Sequence, residues 1–312
     1  MSGVFEPVIG QPQAIELLTC AMQRDRLAPA YLFMGPAGVG RRLTAECFAA
    51  WILAKDETQI QVQRIAQRNH PDLLWVEPTY QHKGKLLTVA QAEEEGLKRK
   101  ARPQIRLEQI REIGQFLSRP TLEAKRAVVV LEATETMAEA AANGLLKTLE
   151  EPGNATLILL APNAESLLPT LNSRCQRIPF RRLSTADLTT VLQRAEQAEI
   201  LQVPDVLALA QGSPGEAIAH WQKLQSIPAE LLADLSHPPT SLRSALECAA
   251  KINRNLDTEA QLWLVEYLQH RYWHTQRHSA WLHSLETVRK QLLNYAQPRL
   301  VWEVALMKMV AV

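Results

Sequence analysis

A glycine-rich loop between an apolar run and an amphipathic run constrains the fold of this chain more than any other feature. Residues 35–42 read Gly-Pro-Ala-Gly-Val-Gly-Arg-Arg and follow the apolar residues 31–34. The phosphate-loop pattern is G-x-x-x-x-G-K-[ST], placed between a strand and a helix. Gly35 and Gly40 occupy its two fixed glycine positions, and Gly38 lies between them. The loop therefore predicts a nucleotide-binding α/β fold.

The last two positions of the loop depart from that pattern. The lysine position holds Arg41, whose planar guanidinium does not replace a lysine conservatively. The Ser/Thr position holds Arg42, which lacks the hydroxyl that ligates Mg²⁺. Backbone amides and a helix N-terminus can still attract a phosphate. We therefore predict that Gly35, Gly38, Gly40 and Arg41 form a degenerate, non-functional phosphate loop; the alternative is a glycine-rich turn that binds no ligand.

Short apolar runs alternate with amphipathic runs in the first half of the chain, a pattern typical of a parallel α/β sheet. Strands are predicted over residues 31–34, 73–76, 127–131, 156–160 and 176–180. Helices are predicted over residues 11–24, 41–54, 106–117 and 136–150. The run 127–131 is the most apolar, so we expect it to be the central strand. The polar residues 81–104 are expected to form an exposed connection.

The strand pattern stops after Phe180 and helical patterns follow. Breaks occur at Pro204, at 212–215, at 238–239 and at Pro298. We therefore predict three domains: an α/β domain over 1–180, a small helical domain over 181–222, and a helical C-terminal domain over 223–312.

Composition excludes several classes of protein. The 312 residues include 34 Lys and Arg against 33 Asp and Glu, so the net charge of +1 is too small to draw the chain to nucleic acid or membrane. The four cysteines are far apart, without C-x-x-C spacing, which predicts neither a zinc site nor a disulfide framework. Free thiols fit a reducing, cytoplasmic location. We find no signal peptide and no run as long as a membrane span.

The residues after strand 127–131 lack half of an acidic pair. P-loop ATPases commonly carry two acidic residues here, one for the metal and one that orients water. Glu132 keeps the first position, and Ala133 fills the second. Alone, Glu132 could be an incidental charge at a strand end. Together with Arg41 and Arg42, the missing carboxylate predicts that two parts of an ATPase site are absent.

Several short strings together resemble the bacterial clamp-loader family of AAA+ proteins. The strings are Gly10-Gln11, Tyr31-Leu32-Phe33, His70-Pro71-Asp72, Ala142-Asn143-Gly144-Leu145-Leu146-Lys147-Thr148-Leu149-Glu150-Glu151-Pro152 and Ser173-Arg174-Cys175. The resemblance covers residues 1–180 well, 181–222 moderately, and the rest only as helices. It implies an AAA+ parallel sheet sandwiched by helices, then a helical lid domain and an all-α collar domain.

The resemblance also implies a role for Arg174. In that family the Ser-Arg-Cys arginine projects into the ATP site of the neighbouring subunit. Arg174 would then be an arginine finger supplied in trans, which stabilises charge on the transferring phosphoryl group. The alternative is a surface arginine in a salt bridge.

Three positions depart from the family pattern. Many relatives carry a four-cysteine zinc module after the loop helix, but this stretch holds only Cys47, so we expect no zinc. ATP-binding relatives often have an arginine where this chain has Glu216, which would repel phosphate. Asn163 matches a polar sensor at a strand end, although without nucleotide it could merely satisfy backbone groups. No bound cofactor is expected, since ATP would be bound by partner subunits.

Two further features have plainer interpretations. Glu266, His270, His274 and His278 recur at helical spacing and could hold a metal, but an ordinary helix face is the better interpretation. The basic run 98–102 could touch DNA phosphates, although acidic residues just upstream favour a solvated loop.

We therefore predict a stator subunit of a clamp loader that is no enzyme on its own. The resemblance implies gamma/tau and delta subunits as partners in a five-subunit ring, which places a sliding clamp on primer-template DNA. A catalytic ATPase similar to gamma/tau is the first alternative. A non-enzymatic DNA-binding adaptor that uses residues 98–102 is the second.

Overall fold

The computed structural model describes residues 2–54, 64–96, 102–276 and 278–310. It divides the chain into two compact units, Met1–Val191 and Leu192–Val312. The first unit contains the glycine loop and a parallel sheet, and the second is built from helices.

Seven strands occur among the described residues, all in the first unit. They are β1 (Ala30–Met34), β2 (Leu73–Val76), β3 (Thr79–His82), β4 (Lys85–Thr88), β5 (Ala127–Leu131), β6 (Ala155–Ala161) and β7 (Gln176–Pro179). Five of them form one sheet in the order β2-β5-β6-β1-β7. Every neighbouring pair in that sheet is parallel. The five strands predicted from the apolar runs are therefore confirmed.

The strand expected at the centre of the sheet, 127–131, lies directly beside the central strand. All five residues of β5 are buried, as its apolar run predicts. However, β5 lies between β2 and β6, and the middle of the sheet is β6, whose seven residues are also all buried. Interior strands of a covered parallel sheet share this composition, so apolarity alone does not rank them.

The helices of the first unit cover the sheet. They are α1 (Pro12–Gln23), α2 (Arg41–Leu53), α3 (Val89–Glu94), α4 (Leu107–Leu117), α5 (Glu139–Glu150), α6 (Pro169–Asn172) and α7 (Thr185–Arg194), the last running past Val191 into the second unit. Short 3₁₀ helices span Ser2–Phe5 and Thr134–Thr136.

Alternate residues of β1 show that helices lie on both faces. The Tyr31 ring packs edge-on against Phe48 of α2, with centroids 5.1 Å apart, and Phe33 packs against Phe48 as well. Leu32, between them, belongs to the core formed with Ile113 of α4 and Leu145 of α5. Successive side chains of a strand point to opposite faces, so the sheet is sandwiched by helices, as predicted.

The stretch 81–104 is mostly exposed where it is described, as predicted, but it forms regular elements and is not a simple connection. β3 and β4 pair as an antiparallel hairpin, and α3 follows directly. Lys83 and Gly84 both have positive φ, as a tight two-residue hairpin turn requires. The Thr88 side chain starts α3 with a capping box. Residues 97–101 lie outside the described residues.

Helices make up the second unit. They are α8 (Pro204–Ala210), α9 (Pro214–Ser226), α10 (Ala229–Asp234), α11 (Leu242–Asn255), α12 (Thr258–Gln276), α13 (Ser279–Leu293) and α14 (Pro298–Val310), with a 3₁₀ helix over Ala198–Gln202. The predicted breaks at Pro204 and Pro298 are confirmed, and each proline begins the next helix, because a missing N–H costs nothing in a first turn.

Buried aromatic side chains with satisfied polar atoms organise the core of the second unit. The indole Nε1 of Trp302 donates to Gln261 Oε1 (3.0 Å), and the Tyr272 hydroxyl donates to the Leu235 carbonyl (3.0 Å). This unit therefore has a hydrophobic core of its own.

The predicted boundaries at 180/181 and 222/223 stay predictions. Among the described residues, no helix has the length and apolar character needed to cross a membrane.

Candidate functional site

The glycine loop joins β1 to α2 at the carboxyl edge of the sheet. Gly38 and Gly40 have φ of 70° and 101°, which side-chain-bearing residues rarely adopt. Gly35 lies against the next segment of chain, since a Cβ there would come 2.5 Å from the Phe180 carbonyl oxygen. The glycines thus allow the backbone conformation of the loop, whether or not a phosphate binds.

The buried Gln11 side chain connects the glycine loop to the segment after β7 by hydrogen bonds. Its Nε2 donates to the carbonyls of Val39 (3.0 Å) and Arg181 (2.7 Å), and its Oε1 accepts from the Arg181 amide (3.0 Å). The Gly10-Gln11 string therefore positions the phosphate loop against the end of the sheet.

Arg42, the second residue of α2, points toward acidic partners. Its Nε donates to Glu46 Oε1 at 3.1 Å and lies 3.5 Å from Glu132 Oε1. Burial alone lowers the pKa of Arg42, but Glu132 and Glu46 outweigh burial and raise it. Arg42 is therefore a permanent positive charge beside Glu132.

Glu132 follows β5 and accepts from two further side chains at the same oxygen. Trp75 Nε1 donates to Oε1 at 2.6 Å, and Arg68 Nη2 lies 3.3 Å from it. Arg68 also forms an ion pair with Glu77. The guanidiniums of Arg42 and Arg68 lie 5.9 and 4.9 Å from the Trp75 ring centroid, within cation–π range.

Sequence reasoning missed Arg68, Trp75 and Glu77. Arg68 and Trp75 lie 64 and 57 positions before Glu132 in the chain. The alignment of parallel strands β2 and β5, which pairs Val76 with Leu131, brings their ends together. Only the order of the strands could have indicated this cluster.

Arg41 differs from Arg42 in its environment. Burial lowers its pKa, and the carboxylates of Glu135 and Glu132 oppose that shift. Ala133, at the second acidic position, has φ 47° and ψ 51° and begins the 3₁₀ turn. The structure thus places a methyl group where a working ATPase carries a carboxylate.

These residues do not match the donor set of a Mg²⁺–nucleotide. P-loop sites hold Mg²⁺ between the loop hydroxyl and an acid after the β-strand. Here the hydroxyl position carries a cation, and the acid, Glu132, already accepts hydrogen bonds from Trp75 and Arg68 and forms an ion pair with Arg42.

Arg174 lies just after α6, away from the glycine loop. Its Nη2 contacts Glu150 Oε1 at 2.6 Å, and its Nη1 donates to the Thr170 carbonyl at 2.9 Å. The side chain is 37% exposed. The structure therefore brings together the Ser-Arg-Cys string and the end of the Leu-Lys-Thr-Leu-Glu-Glu string. Burial raises the pKa of the neighbouring Cys175 thiol to about 11.

The remaining candidate residues have local partners. Asn163 Oδ1 accepts from the Ser166 amide (2.8 Å), which fits the plainer interpretation of a satisfied loop. Glu216 lies in the first turn of α9, 3.8 Å from His220. Burial raises the pKa of the Cys47 thiol to about 11.

Of the four Glu and His positions at helical spacing, Glu266, His270 and His274 lie in α12, whereas His278 precedes α13. His270 and His274 rings are 4.4 Å apart, and His270 lies 3.9 Å from Asp205. No group of three or more potential ligands that could hold a metal occurs within residues 2–54, 64–96, 102–276 and 278–310. The basic run 98–102 lies outside the described residues except for Arg102.

The parallel sheet, the glycine loop after β1 and the acid after β5 define an AAA+ type of P-loop fold. A DNA polymerase III gamma-subunit-related protein from Thermotoga maritima shares this fold, with a TM-score of 0.57 over 96% of this chain and 99% of that protein, at 16% identity. The family model described as DNA polymerase III, delta subunit, matches residues 10–184, more than half of the chain. A second model, the C-terminal domain of cyanobacterial DNA polymerase III delta prime, matches residues 186–309. The chain belongs to the delta-prime family of DNA polymerase III clamp-loader subunits.

Curated relatives agree with that assignment. The delta-prime subunit of Pseudomonas aeruginosa is 35% identical over 202 residues, which are 61% of this chain and 55% of the relative. The Bacillus subtilis delta-prime subunit is 32% identical over 185 residues, 55% of this chain and 48% of the relative. The tau subunit of Bacillus subtilis is 25% identical over 73% of this chain and 39% of its own length. The chain therefore spans about half the length of the delta-prime relatives it matches.

Proposed function

We propose that this chain is a non-hydrolysing stator subunit of a clamp loader, with Arg174 as an arginine finger for a neighbouring subunit's ATP. The observation that carries the proposal is the ion pair between Arg42 and Glu132. These two positions would jointly bind Mg²⁺ in an active P-loop ATPase. With the pair formed and Ala133 at the position of the second acid, the chain would depend on ATP bound elsewhere.

The partners follow from the family and are part of the proposal. The chain would assemble with gamma/tau and delta subunits in a five-subunit ring that places a sliding clamp on primer-template DNA. Similarity to a tau subunit supports a shared architecture among such subunits.

The surroundings of Arg174 are compatible with a finger. It is partly exposed and pairs with Glu150, whose side chain is 53% exposed. Such surface pairs contribute at most about 1 kcal/mol, so exchange of Glu150 for a phosphate on a neighbour costs little. A guanidinium binds phosphate with two parallel hydrogen bonds, which a lone carboxylate oxygen does not match.

The test is Arg174→Ala in a clamp loader reconstituted from this chain and its gamma/tau and delta partners. A finger contributes roughly 10³–10⁵ at the site it serves. Because other sites keep their own fingers, total ATPase activity should fall partly and clamp loading should fall further. Arg174→Lys should not restore loading, since it lacks the planar fork.

Two matched variants separate the finger from a merely structural arginine. Arg177→Ala removes a nearby exposed guanidinium that donates to Asn172 Oδ1, and should leave loading unchanged. Glu150→Gln weakens the partner of Arg174 and should also preserve loading. Normal loading by a fully incorporated Arg174→Ala subunit would reject the finger.

One observation bears on the catalytic alternative. The hypothesis of a catalytic ATPase similar to gamma/tau requires a metal ligand at position 42. Arg42 is instead a cation that is paired with Glu132. Multiple ATP turnovers by the isolated chain, abolished by Gly40→Asp, would establish the alternative.

A further inference from the structure

We propose that the guanidinium of Arg42 takes the electrostatic place of Mg²⁺ in this site, as a cation built into the chain that excludes metal-bound nucleotide. The inference deepens the proposed stator function and concerns the same site. It goes further by naming Arg42 as the residue that takes the position of the metal and Glu132 as the carboxylate that it pairs with.

Arg42 and Glu132 occupy the two positions that hold the metal in a working P-loop site. In P-loop NTPases, Mg²⁺ is held by the hydroxyl at the end of the loop and by an acid after the neighbouring strand. Arg42 occupies the hydroxyl position and Glu132 follows β5. The two side chains that should share a metal approach each other to 3.5 Å.

The positive charges around Glu132 also oppose a metal ion. Arg42 and Arg68 both lie within 3.5 Å of Glu132 Oε1, and Trp75 Nε1 donates to the same atom. Guanidiniums keep their charge at any physiological pH and have no lone pair for a metal. A Mg²⁺ ion at Glu132 would therefore meet two fixed positive charges, and the Oε1 atom already accepts hydrogen bonds from Trp75 and Arg68.

Contacts between several elements of the chain hold the cluster in place. Its members come from α2, from the segment before β2, from β2 itself and from the end of β5. Arg68 has a left-handed backbone (φ 57°), and its amide donates to the Ile65 carbonyl at 2.9 Å. Its side chain lies over Trp75 and pairs with Glu77. Internal pairs thus connect the members of the cluster.

Exposure makes Arg42 a usable target for mutation. Its side chain is 54% exposed, so its ion pairs are screened and their loss should leave the fold intact. Arg42→Thr returns the metal-binding hydroxyl and removes the cation in one change. Arg42→Lys keeps the cation without returning a hydroxyl.

The experiment measures ATP binding to the isolated full chain by calorimetry, with MgCl₂ or with EDTA. For the wild-type chain and Arg42→Lys, we expect no gain in affinity from Mg²⁺. For Arg42→Thr, we expect Mg²⁺ to tighten ATP binding by about tenfold or more, within the usual range of coupling between two ligands. Arg111→Thr, which removes an exposed guanidinium from α4, should behave as the wild-type chain does.

A second variant assigns the metal to Glu132. In Arg42→Thr/Glu132→Gln the Mg²⁺ dependence should disappear, since the amide offers a weaker ligand than the carboxylate. If the wild-type chain already binds ATP more tightly with Mg²⁺, or if folded Arg42→Thr gains no Mg²⁺ dependence, Arg42 does not exclude the metal. If Arg42→Thr fails to fold, the wild-type and Arg42→Lys titrations still decide, because Mg²⁺-dependent binding in either overturns the inference.

These outcomes are independent of the test of the proposed function. The calorimetry uses the isolated chain and reads metal dependence, whereas the Arg174 experiment uses the assembled loader and reads loading. A chain that excludes Mg²⁺–ATP but loads clamps normally without Arg174 would leave this inference intact and reject the finger.

Discussion

At the scale of single residues, Ala133 carries backbone strain in a place where an active site would carry a catalytic acid. Its φ of 47° costs a residue with a Cβ about 1 kcal/mol, which glycine avoids. Ala133→Gly should therefore raise the free energy of unfolding by about 0.5 kcal/mol, after the greater entropy of the unfolded glycine chain is subtracted. Urea denaturation measures this. Ala140→Gly, within helix α5, should have the opposite sign; destabilisation by both changes would show that Ala133 is not strained.

The residues of the site were predictable where they follow a local pattern. Gly35, Gly40, Arg41 and Arg42 could be assigned from the loop spacing, and Glu132 from its place after an apolar strand. The pairing of Arg42 with Glu132 was not predictable, because it depends on how the strand ends meet in space. The contact of Arg174 with Glu150 likewise joins two strings whose proximity no spacing reveals.

At the scale of elements, Asp72 ties the start of β2 to the loop before β5. Its carboxylate accepts from the amides of Leu122 (2.7 Å), Glu123 (2.8 Å) and Ala124 (2.7 Å). Burial on its own raises the pKa of Asp72, but these three donors outweigh burial and lower it. Asp72 of the His-Pro-Asp string therefore has a structural role, which is to hold this loop against β2.

Asp72→Asn should lower the free energy of unfolding at neutral pH by about 2–3 kcal/mol, because the amide cannot accept from all three donors. The pKa of Asp72 is depressed in the folded chain, so its contribution is complete above the unfolded pKa of about 3.9 and is lost as pH falls through the folded pKa. Urea denaturation across this range should show a smaller acid-dependent loss for Asp72→Asn than for the wild type. Asp25→Asn, at an exposed carboxyl, should leave the profile unchanged, and equal slopes for all three chains would contradict the assignment.

The elements that sequence patterns missed are short and polar. The parallel strands β1, β5 and β6 are apolar runs of five to seven residues, because helices cover both faces of the sheet, and this makes them conspicuous. The β3–β4 hairpin has four-residue strands and buries only Thr79 and Leu87, so charge and polarity obscured its alternation. The turn at Lys83 and Gly84 was the one local signal that could have indicated it.

At the scale of the whole molecule, each compact unit buries its own core. Val129, Leu157 and Leu159 lie in a core of the first unit, and Leu264 and Leu306 lie in that of the second. The switch from strands to helices after Phe180 was readable from the sequence. The boundary at Val191 was not, because it falls inside helix α7, where neither composition nor periodicity changes.

Separate cores predict separate responses to cavity-forming substitutions. Leu159 and Leu264 are both fully buried, so Leu→Ala at either position should destabilise its own unit by about 3 kcal/mol. Hydrogen exchange followed by mass spectrometry should then show faster exchange in strands β1, β5 and β6 for Leu159→Ala, and in helices α11 to α14 for Leu264→Ala. Leu122→Ala and Leu300→Ala, at side chains 75% and 53% exposed, are the matched controls and should change neither set. Faster exchange across both units in response to one buried substitution would show that the units unfold as a single cooperative body, against the expectation for domains with independent cores.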